Sequence, residues 1–135
     1  MKFYIAAGFE KREIIKGMYQ TIRENGHEIT SDWTDHLRVY PYAENSRLAE
    51  EYSSADIQGA SSCDIFVLLS EGARRGASSE LGVAINNHLI KGKPEIYVIG
   101  KDNTGLMFYF HPSVNRRNNL KEVLEEVKKS DPKGI

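Results

Sequence analysis

A glutamate, an aspartate and a tyrosine are the residues of this chain whose types could do chemistry together. Glu80 lies in the stretch RRGASSELGVAINNH, residues 74–88, where small residues lead into a predicted helix. A glutamate in a first helical turn is often only a favourable partner for the positive end of the helix dipole. The small residues at 76–79 and Gly82 also leave room for a ligand to approach. The stretch is therefore compatible with two roles for the Glu80 carboxylate, as a helix cap or as a catalytic group.

Asp56 and Tyr4 each carry a polar group that needs a partner. Asp56 sits late in a predicted helix, eight residues before Asp64. An acid near the negative C-terminal end of a helix needs solvent or a partner. Tyr4 lies in a predicted strand, and its hydroxyl must find a hydrogen bond if the ring is buried. The simpler interpretations are a solvated helix residue and a core aromatic residue.

Several well-known catalytic motifs are absent from the sequence. GASSE lacks the second glycine of the G-x-S-x-G nucleophile elbow, and IKGKP at 90–94 lacks the spacing of a phosphate-binding P-loop. No G-x-G-x-x-G follows the first predicted strand, which weakens a dinucleotide-binding interpretation. The four histidines form no H-x-x-x-H pair and Cys63 is the single cysteine, so we predict neither a metal site nor a disulfide.

Composition and charge exclude further classes of function. The 135 residues include 18 basic and 19 acidic side chains, a formal net charge of -1, which is not the basic excess of nucleic-acid-binding proteins. No stretch approaches the roughly 18 apolar residues of a membrane span, and the N-terminal apolar run is too short for a signal peptide. We expect a cytoplasmic protein that binds neither nucleic acid nor membranes.

The hydrophobic pattern predicts strands and helices in alternation. Strands are expected at residues 2–7, 27–33, 64–70 and 95–100, with a short edge strand near Val114. Helices are expected at residues 10–25, 46–62 and 119–129, and another helix is expected from the Glu80 stretch to KGKP at 91–94. The run DIFVLLS at 64–70 is typical of a strand covered on both faces, as in a parallel sheet. The order predicts one domain over 1–135, a doubly wound (Rossmann or flavodoxin-like) α/β sheet of four to five mostly parallel strands.

The predicted helices carry apolar stripes, and the predicted sheet has three loops at its ligand-binding edge. The apolar positions at helical spacing are Ile14, Ile15, Met18, Tyr19 and Ile22 in the first helix, Leu81, Ala84, Ile85 and Leu89 in the third, and Leu120, Val123, Leu124 and Val127 in the last. In such sheets ligands bind beyond the carboxyl ends of the strands, which selects residues 7–12, 70–80 and 101–109. Tyr4, Asp56 and Glu80 should converge at this edge.

Three stretches, taken together, resemble the nucleoside 2-deoxyribosyltransferase superfamily, which includes the 2′-deoxynucleoside 5′-phosphate N-hydrolases. They are FYIAAGF at 3–9, DIQGASSCDIFVLLS at 56–70 and GASSELGVAI at 76–85, in the family's order, and the likeness spans roughly residues 2–100. The resemblance implies cleavage or transfer at the N-glycosidic bond of a nucleoside or nucleoside 5′-monophosphate. It implies no cofactor and no metal.

The resemblance also implies a role for each of the three residues. Glu80 would attack the anomeric carbon of the sugar, Tyr4 would hold and tune that carboxylate, and Asp56 would contact the base and help to supply its proton. Because Glu80 is expected at a helix N-terminus, its pKa should be lowered and the carboxylate should stay ionised.

Further substrate contacts are expected from the loops at the same edge. The predicted substrate-binding residues are Gly8, Phe9, Lys11, Arg12, Trp33, Ser70, Arg74, Gly76, Ser78, Asn103 and Met107. Arg74, or Lys11 with Arg12, would bind a 5′-phosphate, the alternative being a solvated basic loop. Residues 34–45, with the aromatic residues around them, would shape the base pocket by stacking.

The loop KDNTGLMFYFHP at 101–112 is rich in Met, Phe and Tyr where exposure is expected. In the family a neighbouring subunit often completes the sugar pocket through this loop, so we expect a homodimer or homotetramer.

The alternatives to this enzyme are a nucleotide-binding or sensing module without turnover and, more weakly, a glycohydrolase of larger nucleotides such as NAD. The presence of Tyr4, Asp56 and Glu80 together favours the enzyme, because a binding module has less reason to keep an ionised acid beside the sugar carbon. Water as acceptor would make it a hydrolase and a second base a transferase.

Overall fold

A computed structural model of the chain describes residues 1–130, which form a parallel five-stranded sheet flanked by four helices. The strands are β1 (Lys2–Ala6), β2 (Glu28–Ile29), β3 (Ile65–Leu69), β4 (Glu95–Ile99) and β5 (Val114–Arg117), in the spatial order β2-β1-β3-β4-β5. Every neighbouring pair is parallel. The predicted α/β class, the parallel sheet and the short edge strand near Val114 are confirmed.

The helices begin and end close to the predicted bounds. They are α1 (Arg12–Glu24), α2 (Ser46–Ser62), α3 (Arg75–Lys91) and α4 (Leu120–Ser130). After α1 the chain turns at Gly26, whose φ of +86° is a conformation that favours glycine. The predicted apolar stripe of α4 is buried throughout.

The structure departs from the predicted elements in the second strand and in the apolar stripes of two helices. The second strand spans only Glu28–Ile29 because the chain then turns away: Asp32 accepts a hydrogen bond from the backbone N–H of Thr34, and the Trp33 indole donates to the Ile5 carbonyl at 2.7 Å. Leu89 is exposed.

The inward stripe of α3 explains why Leu89 is exposed. It runs through Leu81 and Ala84, which are buried, toward His88, whose ring nitrogen Nδ1 lies 2.9 Å from the Pro94 carbonyl. Leu89 follows one position later and lies outside that stripe. In α1, Ile14 is exposed as well, so Ile15, Tyr19 and Ile22 form the buried face of that helix.

The core is built on the three central strands. All five residues of β3 are buried, as is typical of a strand covered on both faces. The order in which strands are added to the sheet changes direction at β1: β2 lies on one side of β1, and β3 lies on the other side. In such sheets the crevice between the carboxyl ends of these two strands is where ligands bind.

The loops that follow β1 and β3 touch each other at this crevice. A Cβ at Gly8 would meet the backbone carbonyl oxygen of Gly72 at 2.4 Å, a contact that real Cβ atoms do not make. Gly8 therefore lets the turn after β1 lie directly against the loop that leads into α3. The loop after the strand that carries Tyr4 and the loop before the helix that carries Glu80 are therefore in contact.

Candidate active site

Tyr4 and Glu80 meet beneath this crevice. Tyr4 lies in the middle of β1 and is fully buried, and its hydroxyl donates a hydrogen bond of 2.7 Å to Oε1 of Glu80 on α3. Burial and the negative charge of Glu80 raise the pKa of Tyr4, so the phenol keeps its proton and remains a donor. The hydrogen bond fixes one carboxylate oxygen and leaves the other to act.

Gly59 makes room for the Tyr4 ring. It lies on α2 directly over β1, and a Cβ there would come within 2.7 Å of the ring carbon Cδ1 of Tyr4. The ring also packs against Phe66, with 6.0 Å between ring centroids. The phenol is therefore confined between α2 and a strand residue, which directs its hydroxyl toward Glu80.

Asp56 brings a second carboxyl group to the same place. It lies on α2, one helical turn before Gly59, and burial raises its pKa to about 6. Among the described residues its Oδ1 atom is buried and has no hydrogen-bond partner. A buried carboxyl oxygen without a partner is costly, so this atom is available to a ligand.

The pKa of Glu80 differs from the expected one. It is raised from 4.5 to about 7: burial raises it most, the hydrogen bond from Tyr4 lowers it, and the negative charge of Asp56 raises it. The predicted lowering is wrong because α3 begins at Arg75, which puts Glu80 in the second helical turn. The effect of the helix dipole falls off within the first turn, and here desolvation outweighs it.

Two adjoining hollows meet at these carboxyl groups. The loop hollow, about 420 Å³, is lined mainly by residues 7–10 and 33–42. The helix hollow, about 550 Å³, is lined mainly by α2 and the start of α3. Both are lined by Val39, Tyr42, Tyr52, Asp56, Gly76 and Glu80. A ligand in either hollow would therefore lie beside both carboxyl groups.

The loop hollow takes in about half of the predicted substrate-binding residues. Gly8, Phe9, Trp33, Arg74 and Gly76 line it. A Cβ at Gly76 would meet nothing within 4 Å, so the start of α3 is open toward the hollows. The Trp33 side chain is held in the wall by its hydrogen bond to the Ile5 carbonyl.

The other predicted contacts lie outside the lining of both hollows: Lys11, Arg12, Ser70, Ser78, Asn103 and Met107. Arg12 donates to the Phe9 carbonyl at 3.3 Å, and Ser70 accepts from the backbone N–H of Asp102 at 3.1 Å. Asn103 donates to the Arg117 carbonyl at 2.8 Å. In this structure these three side chains hold the backbone near the crevice.

Several lining residues were not singled out from the sequence. His36 stacks on Tyr52 with ring centroids 3.8 Å apart, and the backbone N–H of Leu37 donates to the Tyr52 hydroxyl at 3.2 Å. Arg38 and Glu10 also line the loop hollow. Residues 34–45 have no hydrophobic period, so the prediction that they shape the base pocket rested on the aromatic side chains around them and singled out neither His36 nor Arg38.

The comparison with solved structures gives a match over nearly the whole chain. BcmB, a CMP N-glycosidase from Clostridium botulinum, matches with a TM-score of 0.59 and 15% sequence identity, over 96% of this chain and 99% of that one. The chain has the fold of this N-glycosidase. The resemblance to the nucleoside 2-deoxyribosyltransferase-like fold is thereby confirmed.

No family model matches the chain, and the comparison with curated proteins gives no match. Within residues 1–130 no group of three or more His, Cys, Asp and Glu residues could hold a metal ion. None of the helices in that range combines the length and the apolar character needed to cross a membrane.

Proposed function

We propose that the protein cleaves the N-glycosidic bond of nucleosides or nucleoside 5′-monophosphates, with Glu80 as the nucleophile. The observation that carries this proposal is the 2.7 Å hydrogen bond from Tyr4 to Glu80 beside the unpartnered Oδ1 of Asp56. Enzymes that cleave glycosidic bonds typically use two carboxyl groups in one cavity. The shared fold with a CMP N-glycosidase supports the same reaction class.

In the first step, Oε2 of Glu80 attacks the anomeric carbon of the sugar while Tyr4 holds Oε1. The bond from that carbon to the base nitrogen breaks, and its electron pair leaves with the base. Protonated Asp56 donates its proton to the departing base. The reactive form of the pair has a proton on Asp56 and an ionised Glu80. Because the pKa of Glu80, about 7, lies above that of Asp56, about 6, this is the less populated of the two forms that carry one proton.

In the second step the sugar leaves Glu80. A water molecule attacks the anomeric carbon from the side that the base vacated, its proton passes to ionised Asp56, and the bond to Oε2 breaks. A second base attacking in the same way would complete a transfer. The starting protonation state of both carboxyl groups is restored in either case.

The proposal is tested by following base release from a panel of nucleosides and 5′-monophosphates, with and without a second base. Base release with water alone indicates a hydrolase, and exchange of bases indicates a transferase. We expect Glu80→Gln to abolish both and Asp56→Asn to reduce them strongly, whereas Glu125→Gln, an exposed change on α4, should have no effect. Binding without release of any base would overturn the proposal in favour of a binding module, and full activity in Glu80→Gln would overturn the assignment of Glu80 as the nucleophile.

We also propose that the protein assembles into a homodimer or homotetramer. Met107, Phe108 and Phe110, next to β5, are 75%, 56% and 54% exposed, which is unusual for large apolar side chains so close together. Light scattering at micromolar concentration should show more than one chain per particle. In the double variant Met107→Glu, Phe108→Glu the number of chains per particle should fall toward one. A particle of one chain before any substitution would contradict the proposal.

A further inference from the structure

Two arginines at the loop hollow share one carboxylate. Oε1 of Glu10 lies 3.9 Å from Nη2 of Arg38, and Oε2 of Glu10 lies 3.9 Å from Nη2 of Arg74. All three residues line the loop hollow, together with Asp56 and Glu80. A single anionic group therefore stands between two guanidinium groups in the cavity that holds the two carboxyl groups.

These two ion pairs are loose. Both distances are at the long end for an ion pair, and the three side chains are 56% to 79% exposed. Exposed pairs of this kind contribute little to stability, and they are screened further by salt. The Glu10 carboxylate can therefore be displaced from the arginines at small cost.

Arg38 is held in place by more than Glu10. Its guanidinium lies 5.5 Å from the centroid of the Phe9 ring, a cation–π contact on a residue that also lines the loop hollow. Arg74 is the residue before the first turn of α3, the helix that carries Glu80. The Arg38 guanidinium therefore keeps an anchor in the protein when the carboxylate moves away, and the Arg74 side chain stays attached at the start of the helix that carries Glu80.

We propose that Arg38 and Arg74 bind the 5′-phosphate of the substrate, and that Glu10 is a built-in competitor that weakens this binding. The inference rests on the proposed function and narrows its substrate class to nucleoside 5′-monophosphates. A phosphate ester carries more negative charge than a carboxylate and offers three acceptor oxygens, so it pairs better with two guanidinium groups. The phosphate takes the position between the arginines, and Glu10 turns toward solvent.

The structure favours this pair over the other basic side chains near the crevice. Lys11 and Arg12 do not line either hollow, and the Arg12 guanidinium lies 4.7 Å from the Phe9 ring centroid and bonds the Phe9 carbonyl. Among the arginines and lysines within residues 1–130, Arg38 and Arg74 are the ones that line a hollow with Glu80.

The test uses ribose 5-phosphate and ribose as probes, because they need no base and no turnover. Binding is followed by NMR titration of backbone amides. We expect ribose 5-phosphate to bind more tightly than ribose, Arg38→Ala and Arg74→Ala each to weaken it on the order of tenfold, and Glu10→Gln to tighten it by a similar factor. Ribose binding should not change in any variant.

The matched control is Glu13→Gln, which removes the same charge from an exposed glutamate that pairs with Lys16 instead. It should leave the affinity for ribose 5-phosphate unchanged. Equal effects of Glu10→Gln and Glu13→Gln, or undiminished binding in both arginine variants, would overturn the inference. Base release is measured separately, so a protein that binds ribose 5-phosphate in the expected pattern without releasing a base would refute the proposed function and leave the phosphate site standing.

Discussion

The hydroxyl of Tyr4 donates a 2.7 Å hydrogen bond to Oε1 of Glu80, although the two residues are 76 positions apart in the chain. The parallel pairing of β1 with β3 brings the end of one strand beside the helix that follows the other. Because the phenol is buried and keeps its proton, it orients the carboxylate without neutralising it.

Replacing Tyr4 by Phe should lower kcat while leaving the fold intact. The variant removes one hydrogen bond to a carboxylate, which corresponds to a loss of about 10- to 100-fold in rate. The pKa of Glu80 should rise, because the bond from Tyr4 lowers it. Steady-state kinetics against pH would measure both effects. Tyr97→Phe, which removes a hydroxyl from β4 outside both hollows, is the control and should retain full activity.

The dependence of kcat/KM on pH should be bell-shaped, with a maximum between about pH 6 and 7. The proposed mechanism needs one proton shared by the two carboxyl groups, so activity falls below the lower pKa and above the higher one. Asp56→Asn should remove the alkaline limb, because the group that must keep its proton is gone. The remaining acid limb should follow the ionisation of Glu80 without the charge of Asp56, which raises the pKa of Glu80 in the parent. A profile that stays flat through this range would contradict the assigned pair.

The stability of the protein should fall as the pH rises through the range in which Glu80 loses its proton. Its pKa is raised from 4.5 to about 7 in the folded state, so the folded protein binds more protons than the unfolded chain in that range. Stabilisation is full below about pH 4.5 and lost above about pH 7. Glu80→Gln should therefore be more stable than the parent at about pH 8, by about 1 to 3 kcal/mol in urea unfolding. As an internal control, the difference in unfolding free energy between Glu80→Gln and the parent should be smaller at low pH.

Gly59→Ala should damage both stability and activity, whereas Gly76→Ala should not destabilise the fold. An added methyl group at Gly59 would press on the buried Tyr4 ring, and such overpacking costs about 1 to 3 kcal/mol. At Gly76 a methyl group meets open space, and alanine is the better helix former by about 1 kcal/mol. Thermal unfolding and base-release rates of the two variants provide the comparison. Equal stability of the two would show that the Tyr4 ring can move aside.

Local patterns in the sequence were enough to predict the architecture. The apolar run at 64–70 required a covered strand, and the spacing of Leu120, Val123, Leu124 and Val127 required an amphipathic helix. Both follow from the repeat of the backbone itself, so they need no knowledge of distant residues. The convergence of Tyr4, Asp56 and Glu80 was likewise predicted, because parallel strands place their carboxyl ends at one edge.

The properties that depend on distant neighbours were decided only by the tertiary structure. The sequence placed Glu80 in a first helical turn and predicted a lowered pKa, whereas its burial between α2 and β1 raises the pKa to about 7. The sequence predicted that residues 34–45 shape the base pocket, but not their contacts, since the stacking of His36 on Tyr52 and the position of Arg38 beside Glu10 join separate elements. A periodic pattern records which face of an element is buried. Desolvation and charge pairing depend on which residues lie against that face, and only the tertiary packing determines which residues these are.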